Sequence, residues 1–153
     1  RGVRGIKLTN DWVVGMIIAE EGKNILTVTE KGHGKRTPVK DYRLINRGGK
    51  GVTNIKITEK NGEVIDVMQV DEEGELMLIS KSGIAIRINC QDISIIGRAT
   101  QGVRVMRLGD GDKVVAAAKI LDEDPEESEN PKEIEDSEET TEEEKKVEDN
   151  SEE

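Results

Sequence analysis

One heptapeptide recurs three times along this chain, and it constrains the fold more than any other feature. Gly2-Val3-Arg4-Gly5-Ile6-Lys7-Leu8 aligns with Gly51-Val52-Thr53-Asn54-Ile55-Lys56-Ile57 and with Gly102-Val103-Arg104-Val105-Met106-Arg107-Leu108. The valines of successive copies are 49 and 51 residues apart. The register holds elsewhere. Arg47 stands four residues before Gly51, and Arg98 four before Gly102; Gly32 matches Gly83, Arg36 matches Arg87, and Asp41 matches Asp92. A period near 50 residues with several short strands per copy is the mark of stacked, propeller-like units.

The segments between these landmarks alternate apolar and polar residues and are rich in β-branched side chains, with no sustained 3.6-residue period. Strands are expected at 13–18, 24–29, 64–70, 75–80 and 84–88, and 114–121 opens a third copy. Glu20-Glu21-Gly22-Lys23 and Asp71-Glu72-Glu73-Gly74 then read as hairpin turns, pairing 13–18 with 24–29 and 64–70 with 75–80. One helical turn is expected within Gln91 to Ile96. The expected fold is all-β: about two four-stranded blades plus a partial third over residues 1–121. A blade hides its faces against neighbours, so two alone leave faces uncovered. With a first residue Arg1 in place of Met, the chain reads as a piece of something longer.

Charge divides the chain at the same boundary. Residues 122–153 hold 18 Asp and Glu against 3 Lys, a net of −15; the whole chain is −10, which leaves residues 1–121 at +5. The acidic segment has only Ile134 and Val147 as large apolar residues, too little to offset an ordering cost of about 1–2 kcal/mol per residue. It is expected to be a disordered tail, able to compete with an anionic partner for the basic body.

Other classes are poorly supplied with residues. No apolar run reaches the ~18 residues of a membrane span, and no secretory leader is recognisable. A single cysteine allows no internal disulfide and fits a reducing cytoplasm. Cys90 reads as an inert thiol. One His and one Cys make no metal site, and no acid–base or nucleophile constellation appears. Gly48-Gly49-Lys50-Gly51 lacks the spacing and following helix of a nucleotide-binding loop. Trp12 is expected at a blade edge in the core. Trp12 and Tyr42 are too few to stack single-stranded bases, so duplex backbone contact suits the body better.

Several runs carry a family resemblance. Arg1-Gly2-Val3-Arg4-Gly5-Ile6, Thr27-Val28-Thr29-Glu30-Lys31-Gly32-His33-Gly34-Lys35-Arg36-Thr37-Pro38-Val39, Tyr42-Arg43-Leu44, Arg47-Gly48-Gly49-Lys50-Gly51-Val52 and Gly97-Arg98-Ala99-Thr100-Gln101-Gly102-Val103-Arg104 resemble the last blades of the C-terminal domain of the DNA gyrase A subunit. The resemblance implies a β-pinwheel, whose blades exchange strands and whose basic rim bends double-stranded DNA. It implies a parent type IIA topoisomerase that introduces negative supercoils with ATP and Mg²⁺, assembled from two A and two B subunits (A2B2) and located with the nucleoid in the cytoplasm. The family's Gln-Arg-Arg-Gly-Gly-Lys-Gly box is matched only in part: Asn46-Arg47-Gly48-Gly49-Lys50-Gly51 lacks its Gln and first Arg and reads as the repeat's version of that turn. The family's DNA-cleaving Tyr has no counterpart, since Tyr42 precedes Arg43 and reads as a core or turn anchor.

Bending DNA without reading its sequence needs distributed cations. Smooth bends of 40–90° over 20–30 bp cost about 1–6 kcal/mol, which many contacts must offset. The candidate DNA-binding residues are Lys31, Lys35 and Arg36; Arg43, Arg47 and Lys50; and Arg87, Arg98, Arg104 and Arg107, all read as belonging to Gly-rich exposed turns, where backbone can approach phosphate. His33 could titrate beside a phosphate. The rival readings are the related domain of topoisomerase IV, which shares the blades, and a protein-interaction propeller with no DNA role.

Overall fold

A computed structural model describes residues 2–120; the acidic tail expected at 122–153 lies outside the described residues. The described chain is all-β, with strands β1 (Asn24–Thr29), β2 (His33–Pro38), β3 (Val64–Val70), β4 (Glu75–Ser80), β5 (Ala85–Asn89), β6 (Val103–Arg104) and β7 (Val114–Ile120). Two 3-10 turns, Val39–Asp41 and Cys90–Asp92, follow β2 and β5 at matching positions of the two repeats. The second is the helical turn expected near Gln91.

The strands form two antiparallel sheets. The first has the order β3-β1-β2-β6 and the second β5-β4-β7. Strand exchange therefore replaces the expected hairpins. β3 does not fold back on β4; it crosses to β1, pairing Leu26 with Met68 and Thr27 with Val67. β7 crosses to β4 in the same way, pairing Leu78 with Ala117. The ladders share even their irregularity, a register shift at Val28/Thr29 in one and at Ile79/Ser80 in the other. Asp71-Glu72-Glu73-Gly74 thus links two blades instead of closing one hairpin.

The exchange explains why 13–18 is not a strand. Its counterparts, β3 and β7, are strands because each pairs with the central strand of the preceding repeat. Residues 13–18 have no such partner among the described residues, and Met16 and Ile18 are 92% and 86% exposed. Trp12, expected in the core, is 66% exposed for the same reason.

The first sheet is completed by the third copy of the heptapeptide. β6 pairs with β2 through His33–Arg104 and Gly34–Val103. Gly102 makes that approach possible. Its φ is +77°, and a Cβ there would lie 2.9 Å from the Gly34 carbonyl oxygen, so only glycine fits without displacement. Apolar side chains of both sheets meet in one core: Leu26, Val28 and Val70 from the first, Leu76, Leu78 and Val114 from the second, with Cys90, Ile93 and Met106. Burial raises the Cys90 thiol pKa, which keeps it protonated and unreactive.

Candidate nucleic-acid interface

The ten candidate cations separate into buried and exposed groups. Lys35 and Arg36 are not in an exposed turn. They belong to β2 and are buried, Lys35 completely. Their donors serve a segment of the second repeat that lacks a ladder of its own, where buried carbonyls need partners. Lys35 Nζ donates to the carbonyls of Asn54 (2.7 Å) and Gly97 (2.8 Å). Arg36 Nε donates to the Ile93 carbonyl at 2.8 Å, and Thr37 Oγ1 to that of Ile96 at 2.8 Å. Burial and the neighbouring Arg98 lower the Lys35 pKa to about 8. These residues fasten the second repeat to the first.

Arg98 is half-buried with its guanidinium 5.9 Å from the Tyr42 ring centroid, within cation–π range. The Tyr42 hydroxyl donates to Asn54 Oδ1, and Asn54 Nδ2 donates to Thr27 Oγ1, so Tyr42 is the anchor its sequence context suggested. Arg87 is exposed and ion-paired with Glu75 across the β4–β5 ladder.

Six candidates remain on the surface: Lys31, Arg43, Arg47, Lys50, Arg104 and Arg107. Among the described residues none of them is ion-paired with a carboxylate. Arg47 and Lys50 ride on one turn, in which Gly48 and Gly51 have φ of +77° and +82°. Two backbone bonds hold it: Gly48 N–H donates to the Gly5 carbonyl (2.7 Å) and Lys7 N–H to that of Gly49 (2.8 Å). The bond from Lys56 N–H to the Thr100 carbonyl (2.8 Å) repeats the second of these one copy later. The partial box is thus a rigid turn presenting two cations outward.

Three of the others gather elsewhere, without Arg43. Lys31, Arg104 and Arg107 line a groove of about 560 Å³ with His33, Lys60 and Lys113. Lys60 was missed in the sequence because it follows no repeat landmark, although its neighbours Asn61-Gly62 signal a turn. Lys113 is neutralised by Glu30 at 2.5 Å. His33 is buried, and its pKa lies below the ordinary value of 6.5, chiefly through burial, with Lys60 and Arg104 also opposing protonation. Among the described residues, no group of three or more His, Cys, Asp or Glu could hold a metal ion, and no helix is long and apolar enough to cross a membrane.

Known proteins share this organisation. The DNA gyrase C-terminal domain, beta-propeller, family model matches residues 1–20, 23–71 and 74–120. The chain is 50% identical over 126 residues to the DNA gyrase A subunit of Staphylococcus epidermidis, covering 80% of this chain and 14% of that protein. It is 48% identical over 132 residues to the corresponding Staphylococcus aureus protein, covering 84% and 15%. The chain therefore spans only a small part of the length of the curated relatives it matches. A solved DNA gyrase A C-terminal domain superposes with a TM-score of 0.61 at 33% identity, over 64% of this chain and 33% of that one. The C-terminal domain of DNA topoisomerase IV superposes with a TM-score of 0.70 at 18% identity, over 77% and 38%, a likeness of fold alone. Strand-exchanged blades, the recurring basic turn and the match along nearly all of the described residues have one reading: the chain belongs to the DNA gyrase C-terminal domain family of β-propellers.

Proposed function

We propose that this segment binds double-stranded DNA and bends it along its basic rim, as the wrapping module of a gyrase A subunit that supports ATP-dependent negative supercoiling. The observation that carries the reading is the set of six exposed cations, Lys31, Arg43, Arg47, Lys50, Arg104 and Arg107, none of them neutralised by a carboxylate among the described residues. Lys31, Arg104 and Arg107 line one groove and Arg43, Arg47 and Lys50 lie outside it, so the cations offer more than one contact point and suit a sequence-independent phosphate track. Lys35 and Arg36 contribute indirectly, by fixing the blades that present the others, and Arg87 and Arg98 flank the track from partnered positions. On this reading the protein acts within an A2B2 assembly in the cytoplasm, and ATP and Mg²⁺ are used by the parent enzyme outside this segment.

The test is salt-dependent binding of a long duplex, combined with relaxation of closed circular DNA in the presence of the protein. Binding that weakens steeply with salt and a change in linking number are expected. Absence of duplex binding at low salt would leave the protein-interaction reading in its place. Binding without a change in linking number would indicate contact without a wrap, as in a module that only holds DNA.

A further inference from the structure

The groove beside His33 gathers several cations around a buried imidazole. Register puts His33 of β2 directly opposite Arg104 of β6, and side chains of directly opposed residues project to the same face about 5 Å apart. Lys60, in a turn, and Arg107, in the segment after β6, line the same groove. Its floor is buried, with Met106 and His33 only 3% and 5% exposed. Charges around it do not balance. Lys113 is taken by Glu30, Lys31 donates to the Glu59 carbonyl, and the Asp112 carboxylate accepts from Ser82 Oγ and N. Asp110 is left as the single uncommitted acid against Lys60, Arg104 and Arg107. Three crowded cations over a low-dielectric floor focus a positive potential that favours an anion.

His33 adds a directional element. Its Nδ1 lies 3.1 Å from the Lys31 carbonyl. A carbonyl only accepts, so Nδ1 carries the proton and, in the neutral ring, Nε2 is left as a lone pair. Protonation turns Nε2 into a second donor. An anion in the groove and a proton on His33 therefore favour each other.

We propose that this groove holds one phosphate group, with Lys60, Arg104 and Arg107 as its cationic ligands and protonated His33 as a donor from the floor. The proposal deepens the DNA-binding reading and rests on it for its preferred source, a phosphodiester of the wrapped duplex; a free polyphosphate presents the same chemistry.

The chain has a single histidine, so its imidazole signals in an NMR pH titration are unambiguous. The whole 153-residue chain is titrated alone, with a short duplex, and with inorganic triphosphate. A rise in the His33 midpoint of about one pH unit on adding duplex is expected. The K60Q/R107Q double variant, altered only at exposed positions outside the strands, should lose that rise, bind duplex about tenfold more weakly, and show a salt slope shallower by about 0.9 for the one phosphate lost. A rise with triphosphate alone supports the phosphate site and assigns it to a small polyphosphate. Duplex binding with an unmoved His33 and an unchanged salt slope in the variant overturns the proposal and leaves the DNA reading standing. If duplex does not bind at all, the DNA reading fails, and the triphosphate arm alone decides the groove.

Discussion

The ammonium of Lys35 in the first repeat donates to the carbonyl of Gly97 in the second, across 2.8 Å and with the lysine fully buried. Its folded pKa of about 8 lies below the ordinary 10.5. Between these values the unfolded chain binds the extra proton, so stability rises with pH. The penalty of burying the charge is fully present below pH 8 and is relieved as pH climbs towards 10.5. That interval corresponds to roughly 3 kcal/mol. K35M, which cannot titrate, is expected to lose this rise. Urea unfolding from pH 7.5 to 10.5, compared between wild type and variant, measures it; parallel profiles would refute the burial-driven shift.

Removing the exposed cations should leave the fold alone. R43A/R47A/K50A is expected to keep the wild-type unfolding midpoint while its salt slope for duplex binding becomes shallower, by as much as about 2.7 if each contacts one phosphate. K35A/R36A should behave in the opposite order. It removes donors from the carbonyls of Asn54, Gly97 and Ile93, each loss costing about 1–3 kcal/mol, so its unfolding midpoint should fall before any DNA effect can be read. Equal midpoints for the two variants would contradict the division into rim and fastening cations.

Glycine substitutions test the seam between the repeats. At Gly32, φ is +71°, and a Cβ would collide with the Met106 carbonyl oxygen. At its repeat counterpart Gly83, φ is +89° with nothing within 4 Å. G83A should therefore cost only the positive-φ strain, about 1–2 kcal/mol. G32A should cost more, and it should expose the Val105 and Met106 amides that both donate to the Gly32 carbonyl. Amide hydrogen exchange at those two positions is the readout, and unchanged protection in G32A would show that the seam yields without opening.

The period of the repeat is legible in the sequence, but the pairing of its strands is not. Alternation in 64–70 marks a strand without naming its partner, and a short Gly-containing connection to 75–80 favours the local hairpin. The actual partner, β1, is selected by the shared two-blade core. β2 is hidden for another reason. His33-Gly34-Lys35-Arg36-Thr37-Pro38 has the composition of a loop; it is a strand through its antiparallel ladder with β1, from Asn24–Pro38 to Val28–Gly34, and its buried polar side chains are satisfied by carbonyls of residues 93–97. The match of Arg36 to Arg87 does place it on β5, so the repeat register holds the signal that composition conceals. Burial separates these equivalent positions: Arg36 is enclosed by the second repeat, while Arg87 is exposed and ion-paired with Glu75. Residue type alone therefore could not sort rim cations from fastening ones.

Asp112 offers a test of the third copy. It stands where the second repeat has Asn61, whose Oδ1 accepts from the Thr58 amide and hydroxyl and whose Nδ2 donates to the Lys56 and Gln101 carbonyls. The carboxylate of Asp112 cannot donate. It accepts instead from the Ser82 hydroxyl at 2.6 Å, the Ser82 amide at 3.1 Å and the Lys113 amide at 2.8 Å. These donors, the Ser82 hydroxyl first, hold its pKa at about 2 against an ordinary 3.8. A depressed carboxyl contributes stability that is present above pH 3.8 and lost as pH falls towards 2. Carboxyl carbon NMR should find Asp112 titrating near 2, well below the ordinary 3.8, and S82A should move it upward. A wild-type Asp112 that titrates near 3.8 would mean that the β4–β5 turn and the turn before β7 are not joined through this carboxylate.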